Sequence, residues 1–381
     1  MSIDKQVELL QEIIQAETVN GQEKPLAESF AELFDQAGIE SKLVDHDEER
    51  ASLVAEWQGS DEGKILALTG HFDVVAADDA DEWSYDPFSA EIVDGYMYGR
   101  GTSDMKAGLL GLALALVELK EEDYELPGSI RFLGTAGEEI GMLGSKSLTE
   151  AGYTEDIDAI LIAEPVNPGE INTSHKGSLN YQLTARGQAA HSSTPQDGIN
   201  AINLLRQAMD HIQEKMDQVT HDYESDVLGR TLHSFTVIEG GSQENSIPET
   251  AIVKANARTI PEFSNEKIID LLEKIVEEMN SQVGGELSLE VTQNSAPVNT
   301  PDDSQLVQAC LKELGEETEV TSFNAVTDAS NFTQVDKDFD MVIYGPGDLS
   351  LAHSQDEHIL VEDYVEFIDH VKAIIKNYFD Q

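Results

Sequence analysis

The chain has 381 residues, long enough for two domains or for one α/β domain carrying an insertion. Its 74 Asp and Glu against 23 Lys and Arg give a formal charge of -51, a surface that would repel both nucleic-acid phosphates and an anionic membrane leaflet. No stretch approaches the roughly 20 apolar residues that cross a bilayer, Met1 to Val19 lacks the pattern of a secretory signal, and the single Cys310 suits a reducing cytoplasm.

Val7, Leu10, Ile13 and Ile14 recur at helical spacing, and so do Leu26, Phe30, Leu33 and Phe34. Lys64 to Gly70 then reads as a buried strand, the first that the pattern predicts. Lys106 to Leu119 is apolar nearly all round and predicts a buried helix. Ser129 to Thr135 and Ala159 to Ala163 read as two further strands. Strands separated by helices imply a mixed, largely parallel sheet flanked by helices.

The pattern changes near Gly177. Leu179 to Ala185 alternates like a half-buried antiparallel strand, and a helix from about Asn200 to Val219 follows. Strands around Ser234 to Glu239 and Thr250 to Thr259, a helix over Glu266 to Asn280 and a strand over Glu286 to Thr292 complete a ferredoxin-like α+β order. The remainder, with a strand at Phe339 to Tyr344, returns to the first domain. The expected division is 1–177 with 294–381 for the large domain and 178–293 for the insertion.

In open α/β sheets the reactive groups gather beyond the carboxyl ends of the strands. The strand at Lys64 ends in Gly70-His71-Phe72-Asp73, and alternation puts His71 and Asp73 on one side, an arrangement that suits a ligand imidazole oriented by a neighbouring carboxylate. Tyr98-Gly-Arg-Gly-Thr-Ser-Asp104-Met-Lys-Ala-Gly108 opens the apolar helix, so Asp104 is either an N-cap or a ligand. Glu138 and Glu139 follow the next strand. They are either a solvated acidic turn or a buried pair whose repulsion a divalent cation relieves. Glu164 ends the third strand, and His353 follows the Gly345-Pro-Gly347 turn. Two imidazoles with several carboxylates suit zinc, with cobalt or manganese as substitutes. Five ligands exceed what one open catalytic site needs and suit two metals sharing one acid, which points to a hydrolase that activates water.

The segments Gly70-His-Phe-Asp-Val-Val75, Gly99-Arg-Gly-Thr-Ser-Asp-Met-Lys106, Gly137-Glu-Glu139 and Ala190-His-Ser192, in that order and spacing, resemble the co-catalytic zinc amidohydrolases and metallopeptidases. That family includes succinyl-diaminopimelate desuccinylase, acetylornithine deacetylase, aminoacylase and the glutamate carboxypeptidases. The resemblance implies two Zn2+ per subunit, one on His71 and Glu164, the other on Glu139 and His353, with Asp104 bridging and Asp73 supporting His71. It implies a cis peptide after Asp104 and assigns Glu138 as general base. The insertion would be a lid and homodimerisation domain whose His191 reaches the partner subunit's site. Asn245, Arg258 and Thr327 would by that resemblance contact the substrate, and on chemical grounds Lys176 joins Arg258 as a candidate for an anionic group, since cations are scarce here. An N-acyl amino acid is the implied substrate, N-succinyl-diaminopimelate first, with N-acetylornithine or a dipeptide next.

Overall fold

Ser2 accepts the Lys5 N–H and starts α1 (Ile3–Ile14), whose Leu10, Ile13 and Ile14 are buried. The computed structural model describes residues 1–60, 63–77, 82–282, 284–315 and 317–380. After α1 come α2 (Lys24–Gln36), β1 (Glu40–Asp45), β2 (Ala51–Gln58), β3 (Ile65–His71), β4 (Glu91–Val93) and β5 (Tyr96–Tyr98). Next are α3 (Lys106–Glu121), β6 (Ser129–Thr135), α4 (Leu143–Glu150), β7 (Ala159–Pro165) and β8 (Glu170–His175). The middle of the chain holds β9 (Gly177–Arg186), β10 (Ala190–His191), α5 (Ala201–Asp222), β11 (Leu232–Gly240), β12 (Ser246–Ile247), β13 (Thr250–Thr259), α6 (Asn265–Gln282) and β14 (Glu286–Ser295). The last part runs through β15 (Val298–Asn299), α7 (Gln305–Leu314), β16 (Glu319–Phe323), α8 (Ala329–Phe332), β17 (Asp340–Gly345), β18 (His358–Leu360) and α9 (Val361–Phe379).

These elements form two units, Met1–Ser174 with Asn299–Phe323 and Thr327–Gln381, and His175–Val298 with Asn324–Val326. In the first, a mixed sheet runs β1-β2-β6-β3-β7-β17-β8-β15, with β16 on β8. Its centre, β6-β3-β7-β17, is parallel, as the apolar strands and intervening helices predict. The strand that the sequence presents first is in fact the third. The hairpin β1–β2 lies outside it, β2 antiparallel to β6; Glu40–Asp45 is too polar and exposed to show a strand period, whereas β2 is largely buried and is not among the strands read from the sequence.

Helix α3 explains how the sheet ends are held. Its residues from Lys106 to Leu119 are all buried, as expected of a helix apolar all round. A Cβ on Gly108 would lie 2.2 Å from the Ala163 carbonyl oxygen, so this glycine lets α3 lie directly on β7, one residue before Glu164. Among the described residues, no helix is long and apolar enough to cross a membrane.

The second unit has strand order β11-β13-β9-β14, every pair antiparallel, with α5 and α6 packed on it. In chain order the strands are second, third, first and fourth, the ferredoxin-like arrangement. Leu179, Tyr181, Leu183 and Ala185 of β9 point into its core, alternating with more exposed neighbours. Asn200 caps α5 through the Asn203 N–H, close to where the sequence starts that helix.

Candidate metal centre and active site

The strand ends converge by register. His71, the last residue of β3, lies opposite Thr135, the last residue of β6, and Glu164 is the penultimate residue of neighbouring β7. Between His71 and Asp73, Phe72 is fully buried and stands edge-on to Phe30 at 5.3 Å. That apolar anchor turns the two polar neighbours to the other side of the chain.

The His71 Nδ1–H donates to the Asp73 main-chain carbonyl at 2.9 Å, which leaves Nε2 directed at Asp104 Oδ1 at 3.1 Å and Glu164 Oε1 at 3.7 Å. The other oxygen of Asp104, Oδ2, lies 3.3 Å from His353 Nε2, which is also 2.9 Å from Glu139 Oε1. Asp104 thus turns one oxygen to each imidazole. It does not cap α3: the cap position is Met105 and carries no side-chain cap bond. The Asp104–Met105 peptide is cis. His353 adopts φ 59°, a left-handed conformation uncommon outside glycine, in the turn that brings its ring to Glu139.

The support expected of Asp73 takes a different form. Its backbone carbonyl, not its carboxylate, receives the imidazole proton; the carboxylate oxygen is 3.7 Å from Nδ1. The carboxylate instead accepts the N–H of Glu138 at 3.1 Å and of Glu139 at 3.1 Å. One residue therefore fixes the imidazole tautomer through its main chain and the adjacent acids through its side chain. Glu139 faces His353, whereas Glu138 has no ion-pair partner among the described residues.

Electrostatics test whether cations fit here. Burial pushes the Glu164 carboxyl well above the usual carboxylate range, and the nearby charge of Asp104 adds to that. Burial does the same for Glu138, with Asp328, Glu164 and Glu139 contributing. Hydrogen bonding to Asp104 and then Glu139 raises His353 to about 10. Burial opposes protonation of His71, but Asp104 and Glu164 outweigh it. Among the described residues, the only ion-pair partners of Asp104, Glu139 and Glu164 are the two histidines, and ligand atoms of His71, Asp104 and Glu139 all lie within 4.8 Å of one another. Crowded carboxylates that pair with no Lys or Arg among the described residues, and that face imidazole nitrogens, form a donor set that fits divalent metal.

Two buried acids at this site, Asp328 and Glu357, carry no periodic or spacing signal. Asp328 accepts the Thr135 hydroxyl at 2.5 Å, and thereby ties the loop containing Thr327 to the end of β6. Arg100 and Glu357 form a buried 2.7 Å ion pair beside the Asp104 loop. Thr327 is itself fully buried, its hydroxyl accepting the Ala329 N–H.

The remaining candidates lie in the second unit. His191 pairs with Ser246 across β10 and β12, and the Asn245 carbonyl accepts the Ser192 N–H, so this short ribbon brings His191 and Asn245 together. The Ser193 N–H points at His191 Nδ1 from 3.1 Å, leaving Nε2 of this exposed ring to donate outward. Arg258 lies opposite Ser178 near the other end of the sheet, beside Lys176, whose ammonium donates to the Arg230 carbonyl at 2.6 Å. Asn256 donates its side-chain amide to Asn180 at 2.6 Å.

A mixed α/β sheet with His71 and Glu164 on its parallel strand ends, and with Asp104, Glu139 and His353 brought to them by loops, offers the donor set of a metal-dependent hydrolase. Residues 67–377 match the peptidase family M20/M25/M40. A probable succinyl-diaminopimelate desuccinylase of Staphylococcus aureus strain N315 is 36% identical, the alignment covering 99% of this chain and 98% of the relative. Acetylornithine deacetylase of Pasteurella multocida is 28% identical, with 94% and 91% covered. Among solved structures, the aminopeptidase PepT of Bacillus cereus superposes with TM-score 0.78 at 23% identity, over 99% of each chain. A Bacillus subtilis protein described as a dinuclear metal-binding M20 peptidase superposes with TM-score 0.72 at 15% identity, over 99% of this chain and 98% of that one. The chain belongs to the M20/M25/M40 peptidase family, and it is a metallopeptidase-type amidohydrolase.

Proposed function

We propose that this enzyme hydrolyses the amide bond of an N-acyl amino acid, N-succinyl-diaminopimelate before N-acetylornithine or a dipeptide. The observation that carries the reading is the pair of Asp104 oxygens, each facing a different imidazole. In this reading His71 and Glu164 hold one Zn2+, Glu139 and His353 hold the other, and Asp104 is shared; Co2+ or Mn2+ can substitute. When bound, the ions supply Lewis acidity to the substrate carbonyl and acidify water. Glu138 takes a proton from the attacking water as its oxygen bonds to the carbonyl carbon. It then returns that proton to the amide nitrogen as the C–N bond breaks. Asp73 holds Glu138 through its backbone N–H throughout.

Residues 178–293 act in this proposal as lid and dimerisation domain, and 1–177 with 294–381 as the catalytic domain. Strand β9 is ten residues long, so His191 and Asn245 at one end of the second unit's sheet lie roughly 30 Å from Lys176 and Arg258 at the other. This separation supports a reading in which one of the two pairs comes from a partner chain. Edge strand β11 exposes Leu232, Val237 and Ile238, which favours pairing with a second copy. Arg258 grips a substrate carboxylate, while His191 of the partner subunit donates to the developing oxyanion. The proposed compartment is the cytoplasm, in keeping with a single buried cysteine.

Zinc-loaded protein offered N-succinyl-diaminopimelate, N-acetylornithine and simple dipeptides is expected to give its highest kcat/KM on the first. A higher value on either of the others reassigns the substrate, and no cleavage of any amide removes the proposed reaction. Mixing inactive Glu138→Ala and His191→Ala chains is expected to restore activity that neither homodimer has, because the mixed dimer contains one site with both residues intact. No recovery in verified mixed dimers would place His191 in its own chain's site or outside catalysis.

A further inference from the structure

We propose that Glu357, which is no ligand in the reading above, is a positioning residue that holds the backbone of the Asp104 loop so that both Asp104 oxygens reach their partners. This rests on the reading of Asp104 as the shared ligand. The Glu357 side chain is fully buried, and five hydrogen bonds converge on its two oxygens. Its Oε1 accepts the N–H of Ser103 at 2.8 Å, of Asp104 at 3.0 Å and of Gly101 at 3.1 Å; Oε2 accepts Gly101 N–H at 3.2 Å and Arg100 Nη1 at 2.7 Å. Its main-chain carbonyl also accepts the Gly99 N–H at 2.9 Å, and the Ser103 hydroxyl donates to the next carbonyl, that of His358, at 3.0 Å. Residues 99–104 are thus fastened on both sides of one residue.

Chemistry explains why a carboxylate is needed. Gly101, with φ 88°, turns successive N–H groups of the loop toward one point, a concave nest for an anion. An internal carboxylate fills the nest, and Arg100 neutralises it where water is excluded. Glutamine would keep one acceptor oxygen but aim an NH2 at N–H donors, leaving at least one buried N–H unpaired and Arg100 without its counter-charge. The loop would then shift away from Glu357 and move the Asp104 carboxylate with it. The same short segment also supplies His353, four residues earlier, whose Nε2 lies 3.3 Å from Asp104 Oδ2. Glu357 therefore keeps the shared acid in register with the imidazole that its own segment carries.

The test uses metal-free full-length protein titrated with Co2+ against a chromophoric chelator, alongside the visible spectrum of the cobalt form. Glu357→Gln is expected to bind Co2+ about 10–100-fold more weakly and to alter the spectrum, in line with the cost of disturbing residues that orient metal ligands. Glu357→Asp, which keeps both oxygens, retains more of the affinity. In steady-state assays with zinc, kcat falls more than KM changes. Folded Glu357→Gln protein with wild-type affinity and spectrum would overturn the assignment. If that variant does not fold, the double variant Arg100→Met, Glu357→Gln removes both buried charges together and is judged by the same titration. Failure of both to fold makes Glu357 a folding residue and also overturns the proposal. Asp104→Asn separates the two readings: unchanged Co2+ affinity there breaks the ligand assignment, whereas weak binding there with unchanged Glu357→Gln breaks only the positioning role.

Discussion

Replacing Glu138 with alanine is expected to lower kcat by about 10²–10⁴, the usual contribution of a general base, with metal content and fold unchanged. The geometry separates the two adjacent acids. Glu139 Oε1 is committed to His353 Nε2 at 2.9 Å, while Glu138 is held by its backbone N–H to Asp73 and keeps its carboxyl free of ion pairs among the described residues. Burial raises its pKa, with Asp328, Glu164 and Glu139 contributing and the His71 charge opposing. Cations in the site would counter part of that rise. The sign of the pH dependence follows. Below its pKa Glu138 carries the proton that it must accept, so wild-type kcat falls as pH drops through that value. Glu138→Ala loses this acid limb along with the rate. Metal analysis and pH–rate profiles of both proteins provide the check; undiminished turnover would remove Glu138 from its assigned role.

Asp104→Asn is expected to weaken metal binding by more than about 100-fold, beyond the cost typical of a residue that only orients ligands, and to abolish turnover. The amide keeps the size of the side chain but cancels the charge between the imidazoles and offers one acceptor oxygen where two are used. A second readout needs no metal. His353 titrates at about 10 because Asp104 first, and then Glu139, bond to its charged ring, so removing the Asp104 charge must lower that value toward the ordinary imidazole range. Titration of His353 by NMR in metal-free protein measures the shift. An unchanged value would mean that Asp104 does not face this ring in solution.

These expectations concern residues of unequal visibility in the sequence. His71, Asp104, Glu139, Glu164 and His353 stand at the ends of apolar strands or in glycine-rich turns, where polarity is conspicuous against its neighbours. Glu357 and Asp328 stand in polar stretches of a chain containing 74 acids, where a single buried carboxylate looks like any solvated one. Their burial, and the donors around them, arise only when residues more than 190 positions apart come together, as Asp328 does with Thr135. The role of Asp73 was half visible. Alternation put it beside His71, but whether its carbonyl or its carboxylate would meet the ring depended on the turn after β3.

The sequence alone determined the parallel core, because four apolar strands and a helix apolar all round have no stable place except the interior. It also determined the ferredoxin-like order of the second unit, since half-buried strands display their period of two and amphipathic helices theirs of 3.6. Tertiary structure decided the edges and the site. The polar hairpin strand β1 and the buried but polar β8 gain their strand character from partners, not from their own composition. The distribution of the Asp104 oxygens between two imidazoles depends on distances between the end of β3 and two separate loops, which no local pattern encodes. Composition gave the net charge of -51, but the fold selects the few acids buried against histidines from the many that face water. That selection reflects the cost of desolvating charge, a cost set by the surroundings that folding creates.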